Sequence, residues 1–204
     1  MKKEHLLIIV ALSVAVVFYF FSGMGAPIKN YPPKNNIVVA FGDSLVEGYG
    51  STAGHDFVSL LSQKLNRQII NLGVSGNTTA EGLARIDTVL ARDPGTVVVL
   101  FGGNDYLRNI PEAETFDNLR QIVSTLQSKG IFVVLLGVQG GIFNDHFQAS
   151  FEKLAKETGA VYVPNVLLGL FGNPKYMFDA VHPNDLGYAK IADKVYGVIR
   201  NYIW

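Results

Sequence analysis

The sequence predicts an α/β fold: a three-layer α/β/α sandwich around a central parallel sheet of about five strands, preceded by an N-terminal apolar helix. Three observations lead there. Short apolar runs rich in Val and Ile recur along residues 37–163, most of them followed by a longer stretch with helical spacing. Two of the runs, residues 96–101 (TVVVLF) and 131–137 (IFVVLLG), are apolar without alternation, the pattern of a parallel strand buried on both faces. Strand and helix alternate about five times, and that order calls for a parallel sheet with helices on both sides.

The first element is the apolar one. Residues 6–26 contain no charged side chain, and Lys2 and Lys3 precede them. At about 1.5 Å per residue such a helix spans about 30 Å, the thickness of a bilayer core. The cluster Phe18-Tyr19-Phe20-Phe21 has the composition of an interfacial belt. Residues 1–26 are therefore expected to be a membrane anchor, the alternative being a signal segment that is cleaved. Both readings leave Lys2 and Lys3 in the cytoplasm and place the rest of the chain on the extracytoplasmic side, secreted if the segment is removed. Residues 27–36, with Tyr31-Pro32-Pro33, form a short stiff spacer, and residues 37–204 the domain.

Within the domain, residues 37–41 (IVVAF) are the first strand. Residues 57–66 are a helix with Phe57, Leu60, Leu61 and Leu65 on one face, and residues 68–72 a second strand. Residues 78–92 are predicted as one helix with Leu83, Ile86 and Leu90 inward. The strand over 96–101 follows, then a helix over 112–128 that stops at Lys129-Gly130, and the strand over 131–137. A helix over 145–157, a short strand over 160–163 and an amphipathic helix over 184–202 complete the chain.

Composition limits the chemistry. The 204 residues suit one domain with a real core. Seventeen basic and 17 acidic residues cancel, so no chain-wide basic footprint for nucleic acid exists. The absence of cysteine excludes disulfides, zinc–thiolate sites and a thiol nucleophile. No Walker loop, G-x-G-x-x-G or H-E-x-x-H occurs, and neither metal nor organic cofactor is expected.

Parallel sheets carry their working groups in loops beyond the carboxyl ends of the strands. Gly42-Asp43-Ser44-Leu45 follows the first strand and offers a hydroxyl there. A serine needs a base, usually a histidine oriented by a carboxylate. Of the four histidines, His5 precedes the apolar segment, and His55 and His146 read as surface residues. His182 lies in Asp179-Ala-Val-His-Pro-Asn184, where Pro183 biases it toward extended backbone and Asn184 can cap the last helix. Asp179 is three residues away on the same loop, so Ser44, His182 and Asp179 can form a triad. Acyl transfer also needs donors for an oxyanion, available from the backbone of Gly76 and the amide of Asn104 in the next two loops. Asp43 and Asp105 read as braces for these loops. There is no G-x-S-x-G, hence no α/β-hydrolase elbow.

Gly-Asp-Ser-Leu (42–45), the glycine of Val-Ser-Gly-Asn-Thr (Gly76), Gly-Gly-Asn-Asp (102–105) and Asp-Ala-Val-His-Pro-Asn (179–184) resemble, in order and spacing, the four blocks of the GDSL, or SGNH, hydrolases. The resemblance runs from about Ile37 to Tyr202. Ser-Gly-Asn-Thr-Thr-Ala-Glu-Gly-Leu-Ala-Arg and Leu-Phe-Gly-Gly-Asn-Asp-Tyr-Leu-Arg resemble the bacterial multifunctional acyl thioesterases, lysophospholipases and arylesterases in particular. The resemblance implies a flavodoxin-like sheet and a serine ester hydrolase acting through an acyl-enzyme. It implies Ser44 as nucleophile, His182 as base and then acid, and Asp179 as its partner. Ser44 N–H, Gly76 N–H and Asn104 would form the oxyanion hole.

The expected partner is a small-molecule acyl ester or thioester, with Tyr106, Leu107, Ile142 and Phe143 as candidate substrate-binding residues. Residues 166–171, Tyr176, Met177 and Phe178 are further candidates for an apolar acyl pocket. The alternatives are a carbohydrate O-acetylesterase acting on cell-surface polysaccharide and a membrane-tethered binding module without turnover.

Overall fold

The computed structural model describes residues 26–138 and 145–203. The apolar segment over 6–25 and the candidate residues Ile142 and Phe143 lie outside them. Val38–Gly42 (β1), Ile69–Gly73 (β2), Thr96–Leu100 (β3), Phe132–Leu136 (β4) and Val161–Val163 (β5) form one sheet in which every pairing is parallel. β1, β3 and β4 are buried along their whole length, which is why their sequences are unbroken apolar runs. β2 lies at an edge, and Asn71 in its middle is exposed.

The helices are Ser44–Glu47 (α1), Phe57–Leu65 (α2), Thr79–Ala84 (α3), Asp87–Leu90 (α4), Gly103–Leu107 (α5), Glu112–Ser128 (α6), Asp145–Thr158 (α7) and Asp185–Ile199 (α8). α2 packs on α8, while α6 packs on α3 and α7, giving a helical layer on each side of the sheet. Phe57 and Leu61 of α2 and Ile191, Val195 and Ile199 of α8 are buried, as are Phe116, Leu119, Ile122, Val123 and Leu126 of α6. The three-layer architecture is the expected one.

Two local differences matter. The single helix expected over 78–92 is two short ones. The backbone leaves helical geometry at Arg85 (φ −111°), whose guanidinium turns inward to the ends of β1 and β2. α1 and α5 were not expected, because four or five residues are too few to show a helical period.

The strand order is β2-β1-β3-β4-β5. The chain leaves β1 for β2 on one side and returns to β3 on the other. Their loops diverge and leave a crevice at the carboxyl end of this pair. Gly42 is in register with both Gly73 and Leu100, so three loops start at one level.

Residues 26–36 are docked on the domain. Ala26 N–H donates to Lys156 O (2.8 Å) and Lys29 N–H to Gly159 O (3.0 Å). The Asn30 amide donates to Gln127 O (2.8 Å) and Ile131 O (2.9 Å), and Asn35 Nδ2 to Asp93 O (2.9 Å). The Tyr31 ring packs against Phe132 and Tyr202. Several of these partners lie just before or at the start of β3, β4 and β5, so the segment straps the amino-terminal edge of the sheet. Among the described residues no helix is long and apolar enough to cross a membrane.

Candidate active site

The site begins where β1 ends. A Cβ at Gly42 would lie 2.3 Å from Val46 Cγ2 and 2.4 Å from Leu100 O, so only glycine lets the chain turn so close to β3. Asp43 then caps α1, its side chain accepting from Leu45 N–H at 3.0 Å. Ser44 is the first helical residue, and its N–H has no acceptor within its own helix. The hydroxyl expected on the carboxyl edge of the sheet is there, at the foot of a cavity rather than on open surface, and Ser44 as a whole is buried.

His182 reaches Ser44 from the far end of the chain. Met177 and Pro183 form an antiparallel bridge, and Phe178 N–H donates to His182 O (2.8 Å), closing a tight loop. At its tip Asp179 Oδ1 accepts from the backbone N–H of Val181 (2.8 Å) and His182 (2.7 Å). His182 Nδ1 lies 2.8 Å from Asp179 Oδ2 and Nε2 lies 3.0 Å from Ser44 Oγ. The three sequence-predicted residues are thus joined in one hydrogen-bonded chain. Asn184 caps α8 as expected, accepting from the N–H of Leu186 and Gly187. The Tyr49 ring, which the sequence did not single out, packs 4.6 Å from the imidazole.

Burial of Asp179 works against its ionised form, but the imidazole and the two backbone N–H groups outweigh it. They hold the carboxyl below the usual aspartate range. Asp43 behaves oppositely. Burial pushes its carboxyl up to about 7; the Leu45 N–H opposes the rise and the neighbouring Asp105 adds to it. Asp105 is fully buried and accepts from Thr79 N–H (2.9 Å) and Thr79 Oγ1 (2.5 Å), pinning α3 to α5. Both aspartates brace loops.

Gly76 and Asn104 sit on the neighbouring loops. Gly76 has φ +80°, and a Cβ there would meet nothing nearer than Arg108 Nη2 at 3.6 Å. Asn104 Nδ2 donates to Asn77 O (3.0 Å), which ties the third loop to the second and leaves the amide's other N–H to point elsewhere. The cavity beside Ser44 measures about 650 Å³. The candidates Tyr106 and Leu107 line it, together with Leu167, Phe171, Met177 and Phe178 from the other candidate group. Leu45 and Val138 complete its apolar floor, which only the folded chain reveals. No group of three or more His, Cys, Asp or Glu able to hold a metal ion occurs among the described residues.

Residues 40–190 match the model of the GDSL-like lipase/acylhydrolase family. The chain is 32% identical over 165 residues to thioesterase 1/protease 1/lysophospholipase L1 of Escherichia coli, covering 76% of this chain and 79% of that one. It is 29% identical over 175 residues to esterase TesA of Pseudomonas aeruginosa, covering 80% and 87%. A crystal structure of TesA superposes with a TM-score of 0.76 at 28% identity, over 81% of this chain and 99% of that one.

Proposed function

This chain belongs to the GDSL-like lipase/acylhydrolase family, and from that premise we propose how its own residues hydrolyse an acyl ester or thioester. The reading rests on one observation: Ser44 Oγ lies 3.0 Å from His182 Nε2 at the foot of a largely apolar cavity.

His182 Nε2 takes the Ser44 proton as Oγ attacks the carbonyl carbon. Asp179 at Nδ1 sets the tautomer that leaves Nε2 free to accept, and stabilises the imidazolium that forms. The carbonyl oxygen, now negative, is met by Ser44 N–H, Gly76 N–H and the Asn104 amide. The tetrahedral intermediate collapses as His182 returns the proton to the leaving alcohol or thiol. Water, deprotonated by His182, then attacks the acyl-enzyme; the acid departs and Ser44 recovers its proton.

The cavity volume lies in the range of small-ligand sites, and Leu45, Val138, Leu167, Phe171 and Met177 suit an acyl chain longer than acetyl. The substrate class is therefore an acyl ester or thioester with an aliphatic acyl part, lysophospholipids included. The charge-free stretch over 6–26, preceded by Lys2 and Lys3, supports an extracytoplasmic location, tethered or released by cleavage. The strap over 26–36 supports a tether at the pole opposite the cavity, so that the mouth faces away from the anchoring bilayer.

A chain-length series of p-nitrophenyl esters, beside acyl-CoA and an acetylated sugar, tests the substrate reading. Turnover should rise beyond acetyl; a preference for acetyl alone would count against the lipid reading, and turnover of the acetylated sugar above the aryl esters would favour a carbohydrate O-acetylesterase. Ser44→Ala should lower kcat by roughly 10⁴- to 10⁶-fold; wild-type turnover in that variant would remove Ser44 from the mechanism. Immunoblots of membrane and soluble fractions decide the tether.

A further inference from the structure

Arg85 ends α3, outside the four blocks that carry the triad and the oxyanion donors. It is half-buried, and its guanidinium is directed at neutral oxygens. Nη2 donates to Gly42 O at 2.7 Å, Nη1 to Leu72 O at 3.0 Å and Nε to Asn77 Oδ1 at 2.6 Å. Its plane lies over the Phe41 ring, 4.4 Å from the centroid. Taking a cation partly out of water for neutral partners costs stability, and burial does lower its pKa.

The three acceptors explain the position. Gly42 is two residues before Ser44, at the end of β1. Leu72 stands at the end of β2, from which the chain runs to Gly76. Asn77 follows Gly76, and its backbone carbonyl holds the Asn104 amide at 3.0 Å. One rigid fork thus sets the spacing of the two chain segments that carry Ser44 N–H and Gly76 N–H, and it reaches the Asn104 amide through the Asn77 carbonyl. Other groups hold the outer side of the same loop: Glu47 accepts from Ser75 N–H (2.7 Å), and Arg108 Nη2 donates to Gly76 O (2.7 Å).

We propose that Arg85 is the positioning residue of the oxyanion hole, locking its donors in place before the substrate arrives. The inference rests on the roles given above to Ser44, Gly76 and Asn104. Fixed donors stabilise the developing charge without reorganising at the moment of reaction, and misplacing them by about 1 Å costs about 100-fold in rate. Lysine cannot substitute, since its single ammonium neither spans three acceptors in a plane nor stacks on Phe41.

The test is steady-state kinetics of Arg85→Lys and Asn77→Ala, with rates expressed per Ser44 labelled by a fluorophosphonate. Arg85→Lys should lose about 10- to 100-fold in kcat with KM within about twofold, the mark of an interaction made in the transition state. The midpoint of its kcat–pH profile should stay put, because His182 and Asp179 are untouched. The inhibition constant of an alkylboronic acid, whose tetrahedral adduct on Ser44 mimics the intermediate, should rise by the factor that kcat/KM falls. Asn77→Ala removes one of the three contacts and should show the same signature at smaller size.

Wild-type kcat per labelled site in Arg85→Lys overturns the proposal. So does a loss that KM carries, or, if Arg85→Lys does not fold, an unchanged kcat in Asn77→Ala. Failure of the underlying reading looks different: the wild-type enzyme would then take up no fluorophosphonate at Ser44.

Discussion

Asp43 and Ser44 are sequence neighbours held under opposite conditions. The Ser44 hydroxyl meets an imidazole, whereas the Asp43 carboxyl faces inward, buried, and accepts from the Leu45 N–H. In the unfolded chain Asp43 titrates near 3.8, and in the folded chain near 7. Between those values the folded state holds a proton that the unfolded state has released. The contribution of Asp43 therefore favours folding fully below its unfolded value and is lost as pH rises through about 7. Glu81, Asp179 and Asp185, whose pKa values are lowered, act in the other direction, and their contribution is lost as pH falls below the ordinary carboxylate range. Urea midpoints of the wild-type protein should therefore fall between about pH 4 and pH 7, and those of Asp43→Asn should be flatter across that window. An identical slope in the two proteins would put the buried proton elsewhere. In the sequence Asp43 is one letter of Gly-Asp-Ser-Leu, legible as a brace. Its depth is not legible, because burial of a residue beside a loop glycine depends on β3 and α5 closing over it.

At the scale of elements, the loop before α8 joins folding to chemistry. Asn184 Oδ1 accepts from Leu186 N–H (3.0 Å) and Gly187 N–H (3.1 Å), while Nδ2 donates to Lys175 O (3.0 Å). One side chain therefore starts the helix and ties down the loop that carries Asp179 and His182. Asn184→Ala should destabilise the protein by about 1–2 kcal/mol, as lost caps do. It should also lower kcat, because the His182 loop loses its tie; a urea midpoint and a kcat both equal to wild type would contradict this. The cap was legible from Pro183-Asn184 ahead of an amphipathic run, since capping is local chemistry. The break at Arg85 was not. Leu83, Ile86 and Leu90 keep helical spacing across it, and all three are partly buried against the core. Periodicity therefore reports one helix, and only the carbonyls of Gly42 and Leu72, brought close by the sheet, draw Arg85 out of the pattern.

For the whole molecule, the two ends of the sheet have different tasks. The carboxyl ends of β1, β2 and β3 hold Ser44, Gly76 and Asn104, and the amino ends are strapped by residues 26–36. Expected as a spacer, that segment gives Asn30 two carbonyl partners and Tyr31 two aromatic neighbours. A chain beginning at Ile37 should be less stable than one beginning at Ala26 by about 2–4 kcal/mol, measured by urea denaturation, for the lost hydrogen bonds and apolar area. Its kcat per fluorophosphonate-labelled site should be unchanged, since the strap lies opposite the cavity; a fall in kcat per site would show coupling between the two ends. Asn30 and Tyr31 look like any turn residues in sequence, because their partners, among them Gln127, Phe132 and Tyr202, lie far along the chain. The fold class and the succession of strands and helices along the chain were readable from residue pattern, and the same pattern singled out Ser44, Asp179 and His182 as candidates, since buried strands, caps and turn glycines leave local signals. The fork of Arg85, the depth of Asp43, the floor of Leu45 and Val138 and the docking of the strap were decided by tertiary structure. Each depends on a distance between segments far apart in the chain, and a single sequence carries no local trace of such distances.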